Sequence, residues 1–165
     1  MSAYQIEKRR ARVKITLATG TSVVASLFLA DATPAGIRPE RVGDMLNSDH
    51  GFFPAEVQDP SATRVSLFNR DHVVMMRLEE PELELELDAS YAIAPRRRVA
   101  FVISGGDLLF GEMHVVAPEG HMRVSDFAST AERFRYLETA DGTYVVNLGH
   151  VVEIAQSDIE PKEER

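Results

Sequence analysis

Apolar and polar positions along this chain alternate over short runs. Val13, Ile15 and Leu17 interleave with Arg12, Lys14 and Thr16, a period of two that predicts a half-buried strand. Residues 18–21 supply a turn around Gly20, and 22–30 form the second arm of a hairpin. A loop rich in Ala, Pro and Gly follows over 31–40. Val42, Met45 and Leu46 then fall three and four positions apart, which predicts one to two turns of helix over 41–47. Strands are predicted over 52–57, 64–69 and 72–78. Pro54 points to an edge or bulge in the first of these, and Arg70-Asp71 to a tight turn between the last two. Over 81–88, Leu83, Leu85 and Leu87 alternate with Glu82, Glu84, Glu86 and Asp88, a strand with one apolar face and one carboxylate ladder.

The pattern then starts again. Strands are predicted over 99–103 and 108–116 around a Gly105-Gly106 turn. A helix capped by Ser125 or Asp126 runs to about residue 131, and strands follow over 134–138, 143–147 and 150–154. Arg41-Val42-Gly43-Asp44-Met45 corresponds to Arg123-Val124-Ser125-Asp126-Phe127. A Phe follows each Arg by eleven positions, and Asn69-x-x-His72 corresponds to Asn147-x-x-His150. Gly20 and Gly106 each sit seven residues after the matching Val13 and Val99. Such self-similarity indicates an internal duplication. The expected organisation is a lead-in over 1–11, a first β repeat over 12–78, an acidic connecting strand and linker over 79–98, a second β repeat over 99–155, and a polar tail over 156–165.

Each copy thus reads strand, strand, short helix, strand, strand, strand. The expected fold class is mainly β: two tandem lobes, each a small barrel or sharply bent sheet. This order resembles the Sm-like fold, with its short helix placed mid-chain. The run Arg41 to Asn47, with Asn69 and His72, is also similar to small bacterial β domains of unknown function. The second copy departs from that pattern at Ala128-Ser129. The first resemblance implies nucleic-acid binding as an alternative function; the second implies no activity.

Composition narrows the function classes. At 165 residues, with 44% hydrophobic and 27% charged, the chain is a globular sequence long enough to bury a core. It has no cysteine, so disulfides, thiolate metal sites and a Cys nucleophile are excluded. No apolar run reaches membrane-spanning length and no secretory leader is visible, which predicts a cytoplasmic protein without membrane contact. The net charge of −8 lowers the expectation of nucleic acid, whose phosphates are bound by Lys and Arg. The basic groups cluster as Lys8, Arg9, Arg10, Arg12 and Lys14 and as Arg96, Arg97 and Arg98; an RNA site would bring the two clusters onto one face. Phe52, Phe53, Phe68, Phe127 and Phe134 occupy apolar positions and are expected in the core rather than as stacking platforms.

The duplicated polar residues are the candidate chemistry. Arg41 with Asp44, and Arg123 with Asp126, sit at i, i+3 and can pair on one helix face, either as an anion site or as a local pin for the helix. The pin is favoured. Asn69, His72, Asn147 and His150 read as turn residues. As metal ligands the two imidazoles would need a third partner from His50, His114 or His121, and no ligand-type spacing supplies it. Asp49-His50 near Asp44 has no counterpart in the second copy and reads as a polar loop. No catalytic, cofactor or metal residue is assigned. The expected function is a non-enzymatic scaffold that binds a protein partner or itself, with Glu82, Glu84 and Glu86 as the candidate docking ladder.

Overall fold

The computed structural model describes residues 8–30, 39–81, 94–114 and 132–156. It contains β1 (Lys8–Leu17), β2 (Ser22–Ala30), α1 (Val42–Asn47), β3 (Phe52–Gln58), β4 (Thr63–Asn69), β5 (Val73–Leu78), β6 (Arg96–Ile103), β7 (Leu108–His114), β8 (Phe134–Thr139), β9 (Gly142–Asn147) and β10 (Val151–Gln156). Short 3-10 turns, Arg70–His72 and Leu148–His150, precede β5 and β10. Among the described residues no helix is long and apolar enough to cross a membrane. The second expected helix and the acidic strand beyond Pro81 lie outside the described residues.

All ten strands form one antiparallel sheet in the order β10-β6-β7-β8-β9-β5-β1-β2-β3-β4. The mainly β expectation holds, but the barrel expectation is corrected: β10 and β4 stand at opposite ends of the order and the sheet does not close. The reason lies in β5. It pairs with β9, through Met75↔Val146, Met76↔Val145 and Arg77↔Tyr144, so the sheet runs on into the other half of the chain. The turn expected at Arg70-Asp71 is present as the 3-10 turn Arg70–His72, but β4 and β5 do not pair across it, and β9 and β10 do not pair across Leu148–His150. Each 3-10 turn sends the chain to the far side of its half-sheet, where β5 meets β1 and β10 meets β6. The lead-in is shorter than expected, because Lys8 to Ala11 already pair with Ala30 to Leu27.

Local chemistry accounts for these elements. Gly20 and Gly106 hold φ of 88° and 97° in the β1–β2 and β6–β7 turns, a region that L side chains avoid. Pro54 lies in β3, an internal strand, yet the pairing of β3 with β2 covers only 55–57. The proline thus sits where β3 is locally an edge, and its missing N–H costs no ladder bond. In α1, Val42, Met45 and Leu46 are buried as the spacing predicts.

The core has two clusters, and each draws on both halves of the chain. The first gathers Val13, Ile15, Leu27, Leu46, Phe53 and Met76 with Phe134 and Val145 from β8 and β9. The second gathers Val99, Phe101, Ile103, Met113, Leu137 and Val146 with Val74 from β5. Successive residues of β9 point to opposite faces, so Val145 enters one cluster and Val146 the other. Each buried aliphatic side chain contributes about 1.5–3 kcal/mol; separating the halves would forfeit several of these. Of the expected core phenylalanines, Phe53 and Phe134 are buried and Phe68 packs at the border, but Phe52 is exposed. Phe52 points to the opposite face from its neighbour Phe53. Phe127 lies outside the described residues.

Candidate interaction site

The polar residues singled out in the sequence make local contacts. Arg41 precedes α1 in extended conformation; its backbone N–H donates to Asp44 Oδ2 at 2.9 Å and its Nε lies 3.5 Å from the same oxygen. The Arg41 guanidinium also stacks over Tyr136, 5.2 Å from the ring centre. Arg123 and Asp126 lie outside the described residues. Asn69 Oδ1 accepts from Asp71 N at 3.0 Å, and Asn147 Oδ1 from Gly149 N at 2.9 Å. A side chain that bonds the backbone two residues on curls it into a turn, which gives the two 3-10 turns. His72 is exposed; His150 Nε2 lies 2.7 Å from the carbonyl oxygen of Asp71. His50 sits in an exposed loop, with its backbone N–H donating to Asp49 Oδ1. Among the described residues no group of three or more His, Asp or Glu is placed to hold a metal ion.

The basic segments lie on non-adjacent strands. β1 and β6 have four strands between them, so the strands that carry Lys8 to Arg12 and Arg96 to Arg98 do not lie side by side as the RNA alternative would require. Several of these cations have carboxylate neighbours instead. Arg10 Nη1 lies 2.9 Å from Glu56, Arg12 Nε 3.1 Å from Glu79, and Arg96 and Arg98 flank Glu112. Glu82, Glu84 and Glu86 lie outside the described residues.

Two features are not visible in the sequence pattern. The first is Arg70, which has the sequence context of a turn residue but is buried. Its guanidinium donates to the carbonyls of Phe52 (3.0 Å), Met45 (3.2 Å) and His50 (3.4 Å) and stacks over Phe53. Burial pushes its pKa below the usual guanidinium value, with the charge of Asp49 opposing. The matching position in the other half is Leu148, a weak hint that position 70 faces inward.

The second is the β5–β9 junction. Asn147 Nδ2 donates to Val73 O at 2.9 Å and to Arg70 O at 3.4 Å. Asn47 exchanges two hydrogen bonds with the Phe134 backbone, and Tyr136 Oη accepts from Gly43 N. Arg133 pairs with Asp71. Arg77 reaches across to donate to Asp141 O. Thr139 and Tyr144 donate to the Asp141 carboxylate, Thr139 most strongly, and hold its pKa below the usual Asp value. An NMR titration of that carboxyl should therefore show a depressed midpoint, and Thr139→Ala should raise it. The stability this contributes is present above the unfolded Asp pKa and lost as pH falls through the depressed one. A midpoint unmoved by the substitution contradicts this.

Among the described residues, β4 and β10 each pair on one side only and end the sheet. β4 carries Val65 and Leu67 exposed, with Phe52 exposed beside Asn69 on β3; β10 carries Val152 exposed. Exposed apolar residues on an unpaired edge form a template for another strand. Comparison of the chain with family models, curated proteins and solved structures finds no match to any of them.

Proposed function

We propose that the chain is a non-enzymatic interaction module: two tandem copies of a five-stranded, Sm-like β unit that engage protein partners by strand addition at β4 and β10. The tandem reading is supported by parallel orders within the sheet, β5-β1-β2-β3-β4 and β10-β6-β7-β8-β9. Matching hydrogen bonds support it too. Ala18 N donates to His72 O as Ser104 N does to His150 O, and Arg70 N to Gly51 O as Leu148 N does to Arg133 O, all at 2.8 Å.

The observation that carries the interaction reading is the exposure of Val65 and Leu67 on an edge strand. Natural sheets blunt their edges with charge, proline or a covering element, and β4 from Val65 to Phe68 carries neither charge nor proline. Main-chain bonds would supply affinity and the alternate apolar side chains specificity. A photoreactive residue in place of Leu67 tests this in the cells that make the protein. Discrete adducts are expected on irradiation at 67 and not at the exposed turn residue Asp107. Equal labelling at both positions contradicts the reading.

A further inference from the structure

We infer that the strand each free edge takes up belongs to a second copy of this chain: β10 of one copy pairs antiparallel with β4 of the next, in the register that β5 and β9 use within the chain. This rests on the interaction reading above and names its partner.

The template is internal. Aligning Asn69 with Asn147 sets Ser66, Leu67 and Phe68 against Tyr144, Val145 and Val146. The same alignment sets Met75, Met76 and Arg77 against Glu153, Ile154 and Ala155. Transposing Met75↔Val146, Met76↔Val145 and Arg77↔Tyr144 gives Glu153↔Phe68, Ile154↔Leu67 and Ala155↔Ser66 between copies.

Exposure differs at the matched positions as this pairing requires. Val145 is 0% exposed in the junction, and its counterpart Leu67 is 65% exposed. Val74 is 6% exposed against 71% for Val152, and Phe134 1% against 62% for Phe52. Thr143 is buried where Val65 is exposed. Residues covered at the internal junction thus have apolar counterparts uncovered at the two ends of the sheet, and on complementary strands.

The polar fixtures transpose in part. Asn147 Nδ2 donates to Val73 O, and Asn69 would do so to Val151 O of the next copy. The contact of His150 with Asp71 O becomes one between His72 and Gly149 O. The Arg133–Asp71 ion pair does not transpose, since Gly51 and Gly149 hold those positions, and Pro54 replaces Tyr136. The copy-to-copy contact lacks those bonds and is therefore weaker than the internal one, hence reversible and concentration-dependent. Because unlike edges meet, the contact is head-to-tail, and each chain offers one donor and one acceptor edge.

Sedimentation velocity of the full chain over a concentration series is the test. The wild-type chain is expected to form reversible species that grow with concentration. Leu67→Asp and Val152→Asp each bury a charge in one edge and should be monomeric alone. Mixed in equal amounts they should form a dimer, through the intact β4 of one and the intact β10 of the other. Both sites are exposed, so far-UV circular dichroism should match wild type; Leu67→Lys and Val152→Lys provide a second pair. A wild-type chain that stays monomeric throughout, or blocked variants that do not pair when mixed, overturns the inference. In that case Leu67 photoadducts to a different protein leave the strand-addition reading standing, and a lack of adducts removes it as well.

Discussion

Replacing Arg70 with alanine is expected to lower the unfolding free energy by about 3 kcal/mol, the scale for removing a charged donor from several buried acceptors. The guanidinium serves the carbonyls of Met45, near the end of α1, and of His50 and Phe52, at the start of β3. Alanine would leave those carbonyls without this donor and remove the alkyl stem and the stacking over Phe53. Arg70→Leu, which mimics Leu148, keeps apolar volume but not the donors, so its cost should be smaller but still clear. Urea unfolding monitored by circular dichroism measures both; an unchanged midpoint for Arg70→Ala contradicts the role assigned to it.

Asn147→Ala is expected to cost about 2–3 kcal/mol, again because a buried side chain satisfies several backbone groups. Asn147 is almost fully buried. Its Oδ1 forms the turn before β10, and its Nδ2 holds the Val73 carbonyl at the start of β5. The substitution therefore acts on both halves, and hydrogen exchange should quicken in β5 as well as β9. Asn69→Ala, with its turn bond exposed, should cost less in the isolated chain. Equal losses at the two positions would mean that Asn147 does no more than form its own turn.

Much of the local structure is legible in the sequence. The alternation of Val13, Ile15 and Leu17 locates β1, the Val42, Met45 and Leu46 spacing locates α1, and the two Asn-x-x-His runs mark the turns at Asn69 and Asn147. Periodicity reports which face of a strand is buried; it does not report which strand lies alongside. For that reason the pairing of β5 with β9 is not legible, and five strands per half suggest closure. Arg70 is hidden because a charged side chain carries no apolar signal, although backbone carbonyls distant in sequence accept from its Nη1 and Nη2. Phe52 misleads for the opposite reason: an apolar residue at the start of β3 reads as core although it points away from the face that buries its neighbour Phe53.

The most direct measurement of the proposed architecture is a disulfide trap, which is clean because the chain has no cysteine of its own. Directly opposed residues of antiparallel strands bring their Cα atoms to about 4.5–5.5 Å, within the range a disulfide can span. Met76→Cys with Val145→Cys should close within one chain. Leu67→Cys with Ile154→Cys, placed in the same chain, should give a ladder of covalently linked copies on mild oxidation, while Leu67→Cys alone, with no cysteine opposite it in this contact, should stay unlinked. If the chain carrying both Leu67→Cys and Ile154→Cys never links beyond two copies, while the internal pair closes, head-to-tail continuation of the sheet is contradicted.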